Sequence, residues 1–228
     1  MFVIPAPPLP SVAVAGESAR FPVHRIYCVG RNYADHAKEM GAEVNREQPT
    51  FFLKPADAVV ESGSVLPYPP GTRNLHHEVE LVLALGSGGS DIAVADALAH
   101  VYGYAVGLDL TRRDLQAAAK QKGLPWDTGK AFDRSAPISA IARSTEVGHP
   151  QRGELWLDVN GERRQRGDIA SMLSSVAEIV SELSRLFELS AGDLIFTGTP
   201  SGVGPLAPGD VFRAGFERLL ELEGSIAR

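Results

Sequence analysis

Short apolar runs ended by glycine or proline recur along the chain, and this pattern is typical of buried strands. The predicted strands span residues 25–30, 51–55, 75–86 and 102–110. A hairpin is predicted around Asn160-Gly161, because this dipeptide favours a type I′ turn between two strands. Strands are therefore the first elements that the pattern predicts.

Helical spacing is restricted to a few segments. The predicted helices span residues 32–41, 91–100, 112–122 and 172–187. Thr111 and Asp114 have the spacing of a capping box, so the third helix is expected to begin near Arg112 and to stop at Gly123. Apolar residues of the last segment recur every three or four positions, which predicts a helix that packs on the core and carries no function.

The strand at 75–86 opens with polar residues, and alternation places His76, Glu78 and Glu80 on one face. Two carboxylates on one face at the start of an apolar strand repel each other, and burial raises that cost. A hard divalent ion such as Mg²⁺ or Mn²⁺ would convert the repulsion into binding. An edge strand with two solvated glutamates explains the pattern equally well.

Asp109, near the end of the next strand, favours the metal hypothesis. It stands among apolar residues, where a lone carboxylate needs a partner. We expect Glu78, Glu80 and Asp109 to converge so closely that only a bound divalent cation makes their proximity tolerable.

Three further segments contain candidate residues whose spacing alone does not decide their role. His36 and Glu39 share a helical face, which describes a surface helix unless their position after a strand and a glycine builds a site. Arg113 and Gln116 share a face of the third helix. Lys130 lies in an irregular loop, which forms either the wall of a site or a surface loop.

The glycine-rich loop at residues 197–204 lacks the spacing and the lysine of a P-loop. It is either a tight turn, which the sequence slightly favours, or a loop that presents backbone N–H groups to a carboxylate.

Composition narrows the class of protein. The net charge of −6 and the absence of a Lys/Arg cluster argue against a nucleic-acid partner. The single cysteine, Cys28, fits a reducing compartment, and no apolar run reaches membrane-spanning length. The proline-rich residues 1–24 have no basic residue before Arg20, so we expect an extended arm, no signal peptide and a cytoplasmic protein.

Five motifs resemble those of one known family and occur in its order. They are Gly30-Arg31-Asn32-Tyr33 with His36, Leu75-His76-His77-Glu78-Val79-Glu80, Gly107-Leu108-Asp109-Leu110-Thr111, Lys130, and Thr197-Gly198-Thr199-Pro200-Ser201-Gly202-Val203-Gly204. From about residue 25 to the C-terminus the chain resembles the fumarylacetoacetate hydrolase family, and within it the short acylpyruvate hydrolases. Residues 22–30 are similar to members that act in gentisate degradation, a route of aromatic catabolism.

The resemblance implies an α+β fold that is predominantly β, a mixed β-sandwich roll with short peripheral helices. It implies one catalytic domain at 25–228 behind an N-terminal arm at 1–24, and a homodimer. Residues 216–220 lack the glycine-containing turn expected there, which leaves the last strand undecided.

The resemblance also implies roles for individual residues. Glu78, Glu80 and Asp109 would hold Mg²⁺ or Mn²⁺, while His36 and Glu39 would form a dyad on a helix that closes over the substrate. Lys130 would stabilise developing charge. The implied substrate-binding residues are Arg31, Arg113, Gln116 and Thr199.

The implied activity is hydrolysis of a carbon–carbon bond in an acylpyruvate, with fumarylpyruvate giving fumarate and pyruvate. The partner is thus a small keto acid. Decarboxylation of oxaloacetate or isomerisation of a dienoate could use the same metal–enolate site, and only the His36–Glu39 pair favours hydrolysis. A binding module with a structural ion, whose coordination shell would be closed, is the non-enzymatic alternative.

Overall fold

The computed structural model describes residues 1–35 and 49–228. In chain order the strands are β1 Ser11–Ala13, β2 Arg20–Pro22, β3 Ile26–Gly30, β4 Thr50–Lys54, β5 Val59–Glu61, β6 Ser64–Leu66, β7 Leu75–His77, β8 Val79–Leu85, β9 Val101–Leu108, β10 Thr111–Arg112, β11 Ala136–Ile138, β12 Ala142–Arg143, β13 Glu154–Val159, β14 Glu162–Asp168, β15 Leu194–Phe196, β16 Gly204–Leu206, β17 Val211–Phe216 and β18 Leu220–Ile226. The helices are α1 Arg113–Lys122, α2 Asp127–Lys130, α3 Ser144–Val147 and α4 Val176–Leu186.

Two larger sheets form the body of the molecule. The eight-stranded sheet has the order β4-β3-β15-β8-β9-β11-β5, with β12 paired to β9, and it mixes parallel and antiparallel neighbours. The five-stranded sheet has the order β14-β13-β17-β18-β6, and a three-stranded sheet joins β10, β7 and β16. This curled, mainly β architecture with short helices confirms the predicted fold class.

Strand β8 lies inside the larger sheet, hydrogen-bonded to β15 on one side and β9 on the other. Leu81, Leu83 and Leu85 enter a large core shared with the five-stranded sheet and α4, whereas Val82 and Ala84 enter a second core on the opposite face. Each fully buried aliphatic side chain contributes about 1.5–3 kcal/mol. The interpretation as an edge strand with solvated glutamates is therefore wrong, because β8 has a paired strand on each side and both Glu78 and Glu80 are buried.

The second core is closed by the N-terminal arm. Strands β1 and β2 pair antiparallel, and Val12 and Phe21 pack there against Ile26 and Phe196. The arm thus contributes apolar surface to the main body. The division into an arm at 1–24 and one catalytic domain at 25–228 stays a prediction.

The helices differ from the sequence predictions mainly at their ends. Helix α1 ends at Gly123, whose φ of 64° is left-handed as predicted, but no side chain caps its start. Thr111 pairs in β10 and the helix begins at Arg113, so Arg112 and not Thr111 stands at the N-cap position. The helix predicted at 91–100 is wrong, since that segment forms only a 3₁₀ turn at Ala97–His100.

Helix α4 packs on the core, as the spacing of its apolar residues predicts, but it begins at Val176 and not at residue 172. Ser175 and Glu178 form the capping box there, with the Ser175 hydroxyl accepting from the Glu178 N–H and the Glu178 carboxylate accepting from the Ser175 N–H. Among the described residues no helix is long and apolar enough to cross a bilayer.

The C-terminal half of the chain contains two hairpins, β13–β14 and β17–β18. Asn160 and Gly161 have φ values of 53° and 81°, as a type I′ turn requires, and confirm the predicted hairpin between β13 and β14. The last strand, left undecided by the sequence, pairs with β17. Glu217 takes the left-handed conformation where a glycine is missing, with φ 49°, and its carboxylate accepts from the Glu154 N–H.

Candidate metal centre

The three predicted carboxylates come together at one end of the β8–β9 pair. Because these strands are antiparallel, with Val79 opposite Leu108, the start of β8 lies beside the end of β9. The Asp109 N–H donates to the Glu78 carbonyl over 2.9 Å and ties the two ends. Glu78, Glu80 and Asp109 are all buried, and one carboxylate oxygen of each lies within 4.8 Å of the others. The predicted convergence is confirmed.

Lys130 joins two of these carboxylates. Its Nζ donates to Glu78 Oε2 over 2.7 Å and to Asp109 Oδ2 over 2.5 Å. Burial alone would lower the pKa of Lys130, but the charges of Asp109 and Glu78 outweigh it and raise the pKa. The ammonium therefore stays charged, and the site-wall alternative for this loop is the one that the structure adopts.

Two further cations complete the surroundings of the cluster. Lys54 Nζ lies 2.9 Å from Asp109 Oδ1, and Arg113 forms an ion pair with Glu78. With Lys130, three cations surround three carboxylates. These cations offset the charge of Glu78 and Asp109, so a bound divalent ion is not the only compensation for those two carboxylates. The expectation that only such an ion makes the cluster tolerable is therefore too strong for Glu78 and Asp109, and it stays a prediction for Glu80.

The donor set nevertheless fits a hard divalent cation. The Oδ1 atom of Asp109 is buried and, among the described residues, accepts no hydrogen bond despite the nearby Lys54 ammonium. Burial first, and then the charges of Asp109 and Glu78, raise the pKa of Glu80 well above its usual range. A cation bound by these oxygens would relieve both effects, and carboxylate oxygens are the ligands that Mg²⁺ and Mn²⁺ prefer.

The glycine-rich loop contributes directly to this site. The Gly198 N–H donates to Glu80 Oε2 over 2.7 Å, and Gly198 has a left-handed φ of 97°. The structure thus adopts the alternative in which the loop presents a backbone N–H to a carboxylate, and the preference for a simple tight turn is wrong.

A small pocket of about 60 Å³ opens over the cluster. The predicted substrate-binding residues Arg31, Arg113, Gln116 and Thr199 all line it, together with Lys130 and the three carboxylates. Arg31 is exposed and has a left-handed φ of 62°, a strained conformation of the kind that clusters at functional sites. The pocket wall is therefore rich in cationic groups, as recognition of an anion requires.

Not every candidate histidine or acid can be placed. His36 and Glu39 lie outside the described residues, so their dyad stays a prediction. His76 is half-buried and pairs with Asn74, and burial together with the Arg113 charge lowers its pKa to about 4. His76 is therefore neutral, and it is not part of the acid cluster.

Two buried polar residues of this region were not identified from the sequence. Lys54 ends an apolar run, where a fully buried lysine is rare, and its ammonium also donates to the Leu110 and Lys130 carbonyls. Gln165 stands in a run of charged residues, and its amide contacts the start of β8 and Thr199. In the sequence, a lysine between apolar residues and a proline is a weak signal of a buried site residue. The sequence around Gln165 gives no such signal.

Comparisons with known proteins agree with this geometry. The family described as fumarylacetoacetate (FAA) hydrolase C-terminal matches residues 25–227. A crystal structure of fumarylpyruvate hydrolase from Pseudomonas aeruginosa in complex with Mn²⁺ and pyruvate is 51% identical, with a TM-score of 0.97, and the match covers 100% of this chain and 99% of that one.

Relatives with other activities are also similar. The mitochondrial oxaloacetate tautomerase FAHD1 of Mus musculus is 47% identical over 203 residues, which are 89% of this chain and 91% of the relative. The 5-carboxymethyl-2-hydroxymuconate delta-isomerase of Mycobacterium smegmatis is 33% identical, with a TM-score of 0.80, and the match covers 92% of this chain and 81% of that one.

Proposed function

The chain belongs to the fumarylacetoacetate hydrolase family, and we propose that it hydrolyses a carbon–carbon bond of an acylpyruvate, fumarylpyruvate giving fumarate and pyruvate. Glu78, Glu80 and Asp109 would hold Mg²⁺ or Mn²⁺. One observation carries the proposal: a buried triad of carboxylates lies under an arginine- and lysine-lined pocket. The similarity over the whole chain to a fumarylpyruvate hydrolase with Mn²⁺ and pyruvate supports it.

The charges of the site suit a substrate with two carboxylates. Lys54, Lys130 and Arg113 already balance the three acids. A divalent cation adds two positive charges, and a dianionic keto acid such as fumarylpyruvate neutralises them. Oxaloacetate is also a dianion, so this argument selects the class of substrate and not one member of it.

The residues of the chain divide the reaction between two tasks. When bound, the divalent ion supplies positive charge that stabilises an enolate leaving group. His36, oriented by Glu39, would take a proton from water, whose oxygen attacks the distal carbonyl carbon. The carbon–carbon bond then breaks, and its electron pair leaves with the pyruvate enolate, which takes up a proton. Lys130 places a fixed ammonium where this charge develops.

A panel of substrates tests the proposal. After removal of metal with a chelator, we expect hydrolysis of fumarylpyruvate to return on addition of Mg²⁺ or Mn²⁺ and to exceed any turnover of oxaloacetate. Turnover of oxaloacetate with no cleavage of any acylpyruvate would contradict it. Activity that never depends on a metal would contradict the assignment of the three carboxylates.

Keto–enol exchange of oxaloacetate is the second candidate function, favoured by the 47% identity with the mouse tautomerase. This exchange, like oxaloacetate decarboxylation or dienoate isomerisation, needs no attacking water. Only hydrolysis therefore requires a general base that activates water, and this requirement distinguishes it from the three other reactions.

His36→Ala tests that base. We expect acylpyruvate hydrolysis to fall by about 10²–10⁴-fold, the usual contribution of a general base, while Mn²⁺ and pyruvate still bind. Calorimetry measures the binding, and His100→Ala, whose ring contacts Ser87, is the matched histidine control. Undiminished hydrolysis in His36→Ala would remove His36 from the mechanism.

The finer expectations belong to the same proposal. We propose a role in gentisate degradation and a homodimer, which rest on the resemblance of the sequence motifs, and a cytoplasmic location, which the lone buried Cys28 fits. Sedimentation of the purified protein measures the oligomeric state.

A further inference from the structure

Gln165 is an unusual residue for the strand that carries it. Strand β14 is an edge of the five-stranded sheet, and its sequence contains no aliphatic or aromatic residue. Gln165 is its one buried side chain, only 1% exposed. A buried amide is costly unless all its polar atoms are bonded, so its partners show what it is placed to do.

The orientation of the Gln165 amide is fixed from both ends. The Val79 N–H lies 3.0 Å from Oε1, and a backbone N–H only donates. The Pro200 carbonyl lies 3.0 Å from Nε2, and a carbonyl only accepts. The oxygen therefore faces β8, and the NH₂ group faces the glycine-rich loop.

This orientation determines the role of the Thr199 hydroxyl. Gln165 Nε2 donates to Thr199 Oγ1 over 2.8 Å, so the oxygen accepts and its own hydrogen turns elsewhere. Thr199 is 2% exposed and lines the pocket beside Glu80 and Lys130. An acceptor bound in the pocket is therefore the natural partner of the hydroxyl hydrogen.

We propose that Gln165 is a positioning residue that commits the Thr199 hydroxyl to donate a hydrogen bond to a carboxylate oxygen of the bound keto acid. The inference rests on the proposed keto-acid substrate, but not on hydrolysis. Gln165 touches no substrate, and its whole effect on binding passes through Thr199.

The same geometry fixes the tautomer of a neighbouring histidine. His77 Nδ1 lies 2.8 Å from Gln165 Oε1, and an amide oxygen only accepts. Nδ1 must therefore carry a hydrogen. If the amide were reversed, its NH₂ would face both Val79 N–H and His77, and Nδ1 would be unprotonated.

Binding of pyruvate to the Mn²⁺-loaded protein tests the proposal by calorimetry. Gln165→Glu keeps the acceptor for Val79 but, when ionised, cannot donate to Thr199, whose hydroxyl would then turn back to the new carboxylate. We expect Gln165→Glu and Thr199→Val each to weaken pyruvate binding by about 10- to 100-fold, the range for a hydrogen bond to a charged group. The double variant should bind no more weakly than Thr199→Val alone.

Matched variants separate this role from general damage. Thr199→Ser keeps the hydroxyl and should bind pyruvate within about threefold of wild type. Arg164→Gln changes an exposed neighbour on β14 and should leave binding unchanged. Multiplicative losses in the double variant, wild-type affinity in Gln165→Glu, or no binding of pyruvate to the wild type would each overturn the proposal.

A measurement on the unaltered protein guards against variants that fail to fold. Nitrogen-15 NMR of the histidine side chains should show the Nδ1 atom of His77 protonated. An unprotonated Nδ1 would mean that the amide is reversed, and the proposal would be wrong. Pyruvate binding with the expected pattern but no acylpyruvate cleavage would refute the proposed hydrolysis and leave this inference standing.

Discussion

Two buried acidic sites in this molecule solve the same electrostatic problem in opposite ways. Asp193 is fully buried, and both of its oxygens have a full set of donors: Arg25 reaches both, His24 donates to Oδ1 and the Ser190 N–H donates to Oδ2. In the other site, three carboxylates share three cations, and Asp109 Oδ1 accepts no hydrogen bond from the described residues.

The difference shows how a structural acid is distinguished from a functional one. Asp193 is one charge saturated by its neighbours, so adding a ligand would displace bonds already made. In the Glu78–Glu80–Asp109 cluster, burial first and then repulsion by Asp109 and Glu78 raise the pKa of Glu80. Such a cluster gains from an added cation, whereas Asp193 does not.

Glu80→Gln should give the largest effect. The amide oxygen can still accept from the Gly198 N–H, but a charged ligand is lost, so we expect Mn²⁺ affinity and hydrolysis both to fall by at least about 10³-fold. The metal-free protein should be as stable as the wild type or more so, because a repelled carboxylate is removed. Calorimetry measures the Mn²⁺ affinity and thermal melts measure the stability. Full activity with tight Mn²⁺ binding would contradict the assignment of Glu80 as a functional acid.

Asp193→Asn should give the reverse result. Its amide NH₂ would face donors on Arg25 or Ser190, so we expect a loss of about 3 kcal/mol in the free energy of unfolding. For a chain of this length that corresponds to roughly 6–12 °C in Tm. Mn²⁺ affinity should not change. A variant that loses metal binding but not stability would show that the two sites are not distinct in kind.

Lys54→Met sharpens the comparison within the cluster. The change removes a buried cation from Asp109 and leaves the Leu110 and Lys130 carbonyls without its donors, at a cost of about 2–3 kcal/mol in the metal-free protein. Bound Mn²⁺ replaces the lost charge, so Mn²⁺ should raise the Tm of this variant more than that of the wild type. Equal increases in Tm on addition of Mn²⁺ would show that the charge of Lys54 is not coupled to metal binding.

Asp168→Asn should give the smallest effect. Asp168 is largely exposed, and N–H groups of Ala170 and Gly153 lower its pKa from 3.8. A lowered pKa adds stability above pH 3.8 that disappears as the pH falls through the folded value. Solvent screens the group, so we expect a loss below about 1 kcal/mol at pH 7, and equal stability of variant and wild type in strong acid. A difference that grows toward low pH would contradict the sign.

The sequence predicts the acid cluster well because its information is local. Alternation along the predicted strand at 75–86 places Glu78 and Glu80 on one face, and Asp109 stands out as a charge at the end of an apolar strand. The prediction of one continuous strand there is wrong, because the segment divides at Glu78 into β7 and β8, which belong to different sheets. Local signals also predict the Asn160-Gly161 hairpin and the core face of α4, and the structure confirms both.

Features that depend on tertiary contacts are not predicted. Gln165 bonds to Val79 across 86 positions of sequence, and Lys54 reaches Lys130 across 76. The capping motif at Thr111 fails because Thr111 and Arg112 pair in β10 and the helix begins only at Arg113, while the capping box at Ser175 forms with the same spacing. Identical local patterns are thus resolved only by what packs against them.

The place of β8 between β15 and β9 has a consequence for the choice of ion. Glu80 is part of a strand held by ladders of hydrogen bonds on both sides, and Asp109 is tied to the Glu78 carbonyl. The backbones of these ligands cannot spread apart without breaking hydrogen bonds of the sheet. Ca²⁺ takes six to eight oxygens at about 2.3–2.6 Å in flexible cages, whereas Mg²⁺ requires a tight octahedron at about 2.0–2.1 Å. We therefore expect the site to bind Mg²⁺ or Mn²⁺ more tightly than Ca²⁺, because the backbone that carries the ligands is held in place.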